Sequence, residues 1–170
     1  FAVIKANAYG HGLMRTARAL SDADGYALVE LDAAVELREA GYSQRIALLE
    51  GHFEARELAV MIEHKLTTVV HSLEQLEMLE GRAGTEVVSA WIKVDTGMNR
   101  LGFRHDQLDR TMPPIAASAT LAIDGVYTHF ATADVPDDPL FGEQRARFEQ
   151  ARRTLAGLGI RPRVTHMANS

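Results

Sequence analysis

The chain has no cysteine, no long apolar run and no excess of positive charge. Without cysteine among its 170 residues it can form neither disulfides nor thiolate metal sites. No apolar run approaches the roughly 20 residues that span a bilayer. The net charge of −5 excludes the basic surface typical of proteins that bind nucleic acid or anionic membranes. We therefore expect a cytoplasmic protein with no nucleic-acid or membrane partner, to which the lack of cysteine adds weight.

The composition is that of an ordinary globular domain. Hydrophobic residues make up 46% of the chain and charged residues 24%, and 170 residues suffice to bury a sizeable core. The first residues show no signal-peptide pattern. Since the chain starts inside an apolar run and without Met, the sequence leaves open whether a leader precedes it.

Seven short apolar or β-branched runs alternate with longer stretches of helical spacing. The runs are 1–4, 26–29, 46–49, 67–70, 87–94, 121–127 and 163–165. The helical stretches are about 12–21, 31–40, 53–64, 72–82, 106–118 and 140–157. Alternation of this kind predicts parallel βαβ units. Several runs are nearly continuous in apolar residues, which is typical of strands covered on both faces.

Local signals predict where some of the helices begin and end. Ser72 precedes one helical pattern and Gln75 follows three residues later, which predicts a capping-box N-cap. Gly41 and Gly81 stand at helix ends, where a residue of positive φ is favoured. The pair 113–114 is Pro-Pro, which predicts an interruption and leaves the boundary of that helix open.

The spacing of the strands favours a barrel. The first five strands end at 4, 29, 49, 70 and 94, which are 25, 20, 21 and 24 residues apart, near the repeat of a (β/α)8 barrel. An open doubly wound sheet is the alternative, but KANAYGHG (5–12) is not the Gly-rich turn expected after its first strand. We predict an α/β fold, a partial (β/α)8 TIM-type barrel with about seven parallel strands and without the eighth. Residues 1–170 would then be an incomplete barrel domain inside a longer protein.

Polar residues gather where the predicted strands end, at the edge that carries the active sites of parallel barrels. They are Lys5, Glu30, Asp32, Glu50, His52, His71, Ser72, Lys93, Asp95, Thr96, Asn99, Arg100, His129, His166, Asn169 and Ser170. Lys5 could extend to solvent from the barrel mouth. It could also be a nucleophilic amine, activated by burial and by nearby cations, of the kind that forms a Schiff base with pyridoxal 5'-phosphate.

The histidines do not predict a metal centre. No two of them have the i, i+4 helical spacing of a zinc site. His129 and His166 could approach each other across neighbouring strands, but no carboxylate is an obvious third ligand. His11 is expected to cap or pack the first helical turn. We therefore expect no metal site.

Four segments of the chain resemble the alanine racemases, the fold-type III pyridoxal-phosphate enzymes. They are VIKANAYGHG (3–12), WIKVDTGMNRLGF (91–103), YTHFATAD (127–134) and HMANS (166–170). The segments stand in the family's order and together span the chain. This resemblance implies a pyridoxal 5'-phosphate cofactor and an amino-acid substrate.

The resemblance also implies a role for individual residues. Lys5 would hold the cofactor as a Schiff base and act as one of two catalytic bases. Tyr9 and Ser170 would contact the cofactor phosphate, for which hydroxyl and N–H donors need no net charge. Arg100 would lie near the cofactor ring and the substrate carboxylate, and His129 in the hydrogen-bond network behind the ring.

Two further residues take their expected roles from the same resemblance. Asn169 would belong to the cofactor-binding residues, just behind those that contact the phosphate directly. Lys93 corresponds to a lysine that is carbamylated in many relatives. Physical chemistry permits this at Lys93, since the nearby Arg100 lowers a lysine pKa and then stabilises the carbamate charge. The alternative is a structural lysine paired with a carboxylate.

The family's reaction is the interconversion of L-alanine and D-alanine by two-base exchange of the α-proton. Its second base is a tyrosine from a C-terminal β-rich domain of the partner subunit in a homodimer. Tyr26, Tyr42 and Tyr127 do not match that tyrosine's motif, so the isolated segment is expected to be inactive. The implied role is supply of D-alanine for bacterial cell wall. A non-catalytic pyridoxal-phosphate-binding barrel protein and a racemase of broader specificity, such as a serine racemase, remain alternatives, and a decarboxylase on a related barrel is less well supported.

Overall fold

The computed structural model describes residues 1–82, 84–135 and 137–169, in which strands and helices alternate. The strands are β1 (Ala2–Val3), β2 (Gly25–Leu28), β3 (Arg45–Leu48), β4 (Thr67–Val70), β5 (Val88–Asp95), β6 (Phe103–Arg104), β7 (Leu121–His129) and β8 (Val164–Ala168). The helical elements are α1 (Lys5–Tyr9), α2 (Leu13–Ala19), α3 (Leu31–Glu39), α4 (Glu57–Glu63), α5 (Leu73–Glu80), α6 (Leu108–Ala117) and α7 (Pro139–Gly157). None of the helices in these ranges is long and apolar enough to cross a membrane.

Seven of the strands form one curled parallel sheet. Their order is β1-β2-β3-β4-β5-β7-β8, and the short β6 pairs in parallel with the end of β5. The order follows the chain without the reversal that marks a doubly wound sheet. The α/β fold class and the partial TIM-type barrel predicted from the sequence are confirmed.

The sheet is buried on both faces. Its outer face packs against the helices through two apolar clusters, which include Leu48, Ile92 and Phe148. Its inner face carries a smaller cluster around Trp91 and Tyr127, whose rings meet edge to face at 6.3 Å between centroids. Burial on both sides explains why the strands are continuous apolar runs in the sequence.

A bulge in β7 makes room for the large indole in the barrel interior. The register shifts by one residue opposite Ala90 and Trp91, so that Trp91 faces Gly125. A Cβ atom at Gly125 would overlap the Trp91 indole. The extra residue of the bulge is Asp124, which pairs with Arg45 at the N-terminal end of the barrel.

The local predictions had mixed outcomes. The Ser72 N-cap is confirmed, since its hydroxyl accepts the Gln75 N–H at 3.4 Å, but the Gln75 side chain accepts the N–H of His71 at 2.9 Å and not that of Ser72. Gly41 has the predicted positive φ of 88°. The prediction for Gly81 is wrong, with φ at −78°, because its N–H still bonds to Glu77 O at 2.8 Å and continues the helical pattern.

The proline pair does not end its helix. Pro113 and Pro114 both lie inside α6, which continues to Ala117. Met112 and Ile115, on either side of the pair, are buried against the sheet. Their packing holds the segment helical despite the backbone donors that proline lacks.

Candidate active site

A cavity opens at the C-terminal ends of the strands. It is lined by Val3, Lys5, Val29, Leu49, Glu50, Lys93, Arg100, Tyr127, His129, His166, Ala168 and Asn169. Most of the polar members are among the residues that the strand ends predicted. The chain has only three lysines, and two of them, Lys5 and Lys93, line this cavity. The third, Lys65, precedes β4 and lines a pocket at the opposite end of the barrel.

Lys5 stands at the start of a left-handed turn. Ala6, Asn7, Ala8 and Tyr9 all have φ between 51° and 54°, a region that L-residues adopt singly and rarely in series. The Asn7 side-chain oxygen accepts the Leu13 N–H at 2.7 Å and so closes the turn onto α2.

The turn is also held from the neighbouring strand. The Glu30 carboxylate, at the end of β2, accepts the N–H of Ala6 at 3.2 Å. The N–H of Ile4 bonds to Ala27 O at 3.0 Å and keeps the end of β1 against β2. Together these contacts fix the backbone on both sides of Lys5, whose side chain lines the cavity.

Lys93 is a buried cation, with only 6% of its surface exposed. Its ammonium lies 5.4 Å from the centroid of the Tyr127 ring. Burial lowers the pKa of Lys93 to about 8, helped by the positive charges of Arg100 and Lys5 and opposed by Glu50 and Asp95. About a tenth of this amine is therefore neutral at pH 7, far more than in an exposed lysine of ordinary pKa.

Glu50 supplies the only carboxylate among the described residues that line the cavity. Its backbone carbonyl accepts hydrogen bonds from the Gln75 amide at 3.0 Å and from His71 Nε2 at 3.1 Å. One residue earlier, the Leu49 carbonyl accepts the Tyr127 hydroxyl at 2.7 Å. The segment after β3 is thus held from two sides, by α5 and by β7.

The surroundings of the two cavity histidines favour the neutral form of each ring. Burial lowers the pKa of His129, and the charges of Arg100, Lys93, Lys5 and His166 lower it further. Burial also lowers the pKa of His166, whose ring meets Tyr127 at 6.1 Å between centroids. At neutral pH each ring can donate one hydrogen bond and accept another without adding to the positive charge.

Of the seven residues to which the family resemblance gives a role, the structure brings five together. Lys5, Lys93, Arg100, His129 and Asn169 share the cavity, and the Asn169 amide donates to Asp134 at 2.7 Å. Tyr9 is half exposed and does not line the cavity, so its phosphate contact stays a prediction. Ser170 lies outside the described residues, and its role also stays a prediction.

Other strand-end residues prove to be structural. His52 is fully buried, with its Nε2 donating to Gln75 O at 3.0 Å and its Nδ1 3.1 Å from the Thr68 hydroxyl. Tyr127 belongs to the cavity although the sequence reading passed over it. Side chains alternate between the two faces of β7, so residue 127 lies on the same face as Gly125, and this alternation could have predicted that Tyr127 faces the barrel interior. In the ranges that the structure describes, no group of three or more His, Asp or Glu could hold a metal ion.

Comparison with known proteins identifies the family. A family model described as the N-terminal domain of alanine racemase matches residues 1–170.

The chain belongs to the alanine racemase family.

Among curated proteins, the alanine racemase of Shewanella loihica is 47% identical over 157 residues, covering 92% of this chain and 44% of that protein. The alanine racemase of Nitrosospira multiformis is 49% identical over 136 residues, covering 80% and 38%. The chain thus spans less than half the length of the curated alanine racemases that it matches.

Solved alanine racemase structures share the fold. The enzyme of Clostridium difficile 630 superposes with a TM-score of 0.90 at 29% identity, over 99% of this chain and 48% of the other. The biosynthetic alanine racemase of Pseudomonas aeruginosa superposes with a TM-score of 0.86 at 37% identity, over 100% and 46%. The site described above therefore lies in a domain with the barrel fold of the alanine racemase family.

Proposed function

We propose that the whole protein interconverts L-alanine and D-alanine with pyridoxal 5'-phosphate, and that this chain supplies Lys5 as the lysine that binds the cofactor. The observation that carries the proposal is the position of Lys5. It lies two residues after the first strand of a barrel of the alanine racemase family, in a cavity shared with Lys93, Arg100 and His129. The proposal includes the cytoplasm as its location and a homodimer as its assembly.

The residues of the cavity fit an anionic cofactor. Whatever the state of Lys93, Lys5 and Arg100 supply basic groups to the cavity, and His129 and Asn169 add polar ones. Such a surface stabilises a phosphate and a substrate carboxylate. Lys5 would bind the cofactor covalently, while Asn169 contributes polar contacts. When bound, pyridoxal 5'-phosphate supplies an electron sink for the charge left at the α-carbon.

In the reaction, this chain provides one of the two proton-transfer groups. Lys5 Nζ takes the proton from, or returns it to, the α-carbon on one face of the amino acid. Arg100 would pair with negative charge at the site, and His129, being neutral, lines the same cavity without adding to the charge. The base for the opposite face would come from residues outside this chain, contributed by the partner subunit.

We further propose that Lys93 is carbamylated. Its neutral amine would add to carbon dioxide and release one proton, giving an anion that Arg100 can pair with. The pKa of Lys93, lowered to about 8 by burial first and then by Arg100, favours the neutral amine that this step requires. A carbon-13 carbonyl resonance that appears with labelled bicarbonate and is absent in Lys93→Met would support the modification. A plain amine in a mass spectrum that preserves carbamates would refute it.

The racemase proposal is tested with the whole protein in deuterated water. We expect L-alanine to lose its α-proton to solvent and to racemise, and Lys5→Arg to reduce the rate by about 10³-fold or more. Lys65→Arg, at the other end of the barrel, is the matched control and should keep full activity. A protein that binds the cofactor but exchanges no α-proton would be the non-catalytic carrier. A faster reaction with serine would indicate a racemase of broader specificity.

A further inference from the structure

Gln144 is a fully buried polar residue on the helix that follows β7. It lies on the same face of α7 as Phe148, Ala151 and Leu155, all of them buried. An amide on an apolar helix face is costly unless it is hydrogen-bonded. The hydrogen-bond partners of Gln144 therefore indicate its role.

The Gln144 amide joins two strand ends. Its oxygen accepts the N–H of Ala131 at 2.9 Å, and its nitrogen donates to His129 O and to the Thr96 hydroxyl, both at 3.2 Å. His129 is the last residue of β7 and Ala131 follows it by two residues, whereas Thr96 directly follows β5. One side chain thus bonds to the backbone beside His129 and to the loop that leads to Arg100.

The loop after β5 is held further around Thr96. The hydroxyls of Thr96 and Thr128 are 2.8 Å apart, and Arg147, one turn after Gln144, donates to Thr96 O at 3.0 Å. The Asp95 carboxylate accepts the N–H of Asn99 at 3.0 Å, which shapes the residues just before Arg100. The path from Gln144 to Arg100 is therefore a short, hydrogen-bonded loop.

We infer that Gln144 is a positioning residue that sets His129 and Arg100 relative to each other in the cavity. Only an amide meets the requirement, because one end must accept from an N–H while the other donates to a carbonyl and a hydroxyl. A methionine of similar shape would remove this partner from the Ala131 N–H and the His129 carbonyl, and would leave the Thr96 hydroxyl with Thr128 alone. This role rests on the proposed function, since His129 and Arg100 matter here as parts of that site.

The test compares Gln144→Met with Gln150→Met, an exposed glutamine on the same helix, in the whole protein. The first readout is the pKa of the His129 ring by NMR, assigned with a His129→Asn variant. Arg100, Lys93, Lys5 and His166 are the charged or titratable groups that act on this ring. Loosening their arrangement and admitting water should raise its pKa by about 0.5 unit or more in Gln144→Met and leave it unchanged in Gln150→Met.

The second readout is the split between kcat and KM for alanine. We expect Gln144→Met to lower kcat on the order of 10- to 100-fold with little change in KM, since small misplacements of working groups have effects of this size. Thr96→Val keeps the shape and removes the shared hydroxyl, and should move both readouts in the same direction. If Gln144→Met fails to fold, the same two readouts in Thr96→Val test the positioning role.

Two results separate the possible failures. An unchanged His129 pKa together with an unchanged kcat, or with a loss of stability alone, in folded Gln144→Met or Thr96→Val would overturn the positioning role. A protein without racemase activity in which Gln144→Met still shifts the His129 pKa would refute the proposed function and leave the coupling standing.

Discussion

At the scale of single residues, the positive charge of Lys93 is unfavourable in the folded protein. The side chain is buried between the barrel interior and the cavity, and the cation of Arg100 lies nearby. Glu50 and the Tyr127 ring offset part of that cost. A lysine buried in this way makes the free energy of unfolding depend on pH, whereas an exposed lysine would not.

Stability should depend on the protonation of Lys93. Burial lowers its pKa to about 8 from 10.5, so between these values the unfolded chain binds more protons and stability rises with pH. In carbonate-free buffer, the free energy of unfolding should rise by about 2 kcal/mol more in the wild type than in Lys93→Met between pH 8 and pH 10. Urea unfolding of the whole protein measures this. Lys65→Met should behave like the wild type, and equal pH profiles for wild type and Lys93→Met would contradict the account.

At the scale of elements, the left-handed turn α1 decides how Lys5 leaves its strand. Four consecutive residues of positive φ, none of them glycine, store strain that the hydrogen bonds of Asn7 and Glu30 offset. A right-handed helix starting at the same point would carry the following backbone in another direction. The strain is therefore localised where the proposed cofactor lysine stands.

Glycine should be favoured inside this turn and disfavoured in an ordinary helix. Ala6 is exposed and has φ of 51°, so Ala6→Gly relieves strain and should raise the free energy of unfolding by up to about 1 kcal/mol. Ala146→Gly, at an exposed site in the middle of α7, should lower it by about 1 kcal/mol. Chemical denaturation of the two variants shows whether the effects have opposite signs. Equal losses would mean that the turn is not left-handed in solution.

The order of elements was predictable from the sequence because burial on both faces leaves continuous apolar strands at regular spacing. The left-handed turn was not, because only Asn7 among its four residues has a local tendency to positive φ, and tertiary hydrogen bonds impose it on the other three. Gly81 is the opposite case, because a glycine at a helix end predicted a positive φ and the residue has an ordinary helical φ.

The cavity residues at the strand ends were predictable from topology alone, as for Lys93 and His129. Gln144 was missed because it lies on a helix, away from any strand end. Its only signal was a polar residue four positions before Phe148 on an apolar helix face. Sequence patterns thus located the residues that line the site better than those that hold them in place.

At the scale of the whole molecule, the chain forms a partial barrel, and in the proposed reaction it provides one of the two proton-transfer groups. In the proposed function Lys5 serves one face of the substrate, and neither Tyr26, Tyr42 nor Tyr127 matches the tyrosine that the family resemblance assigns to the other face. The alanine racemases that it matches are more than twice as long as the matched region. Activity is therefore expected from the whole protein.

The isolated 170-residue chain should not racemise alanine. Without a second base, a proton removed on one face cannot be returned on the other. Chiral chromatography of alanine incubated with the isolated chain and, in parallel, with the whole protein measures the difference. Comparable turnover by the two would show that this chain holds both bases.

The most direct test of the central claim asks which lysine carries the cofactor. The whole protein, supplied with pyridoxal 5'-phosphate, is reduced with borohydride, digested and analysed by mass spectrometry. The account predicts the reduced cofactor on the peptide that contains Lys5, and none on those with Lys65 or Lys93. Attachment at Lys93, or no attachment to this chain, would contradict it.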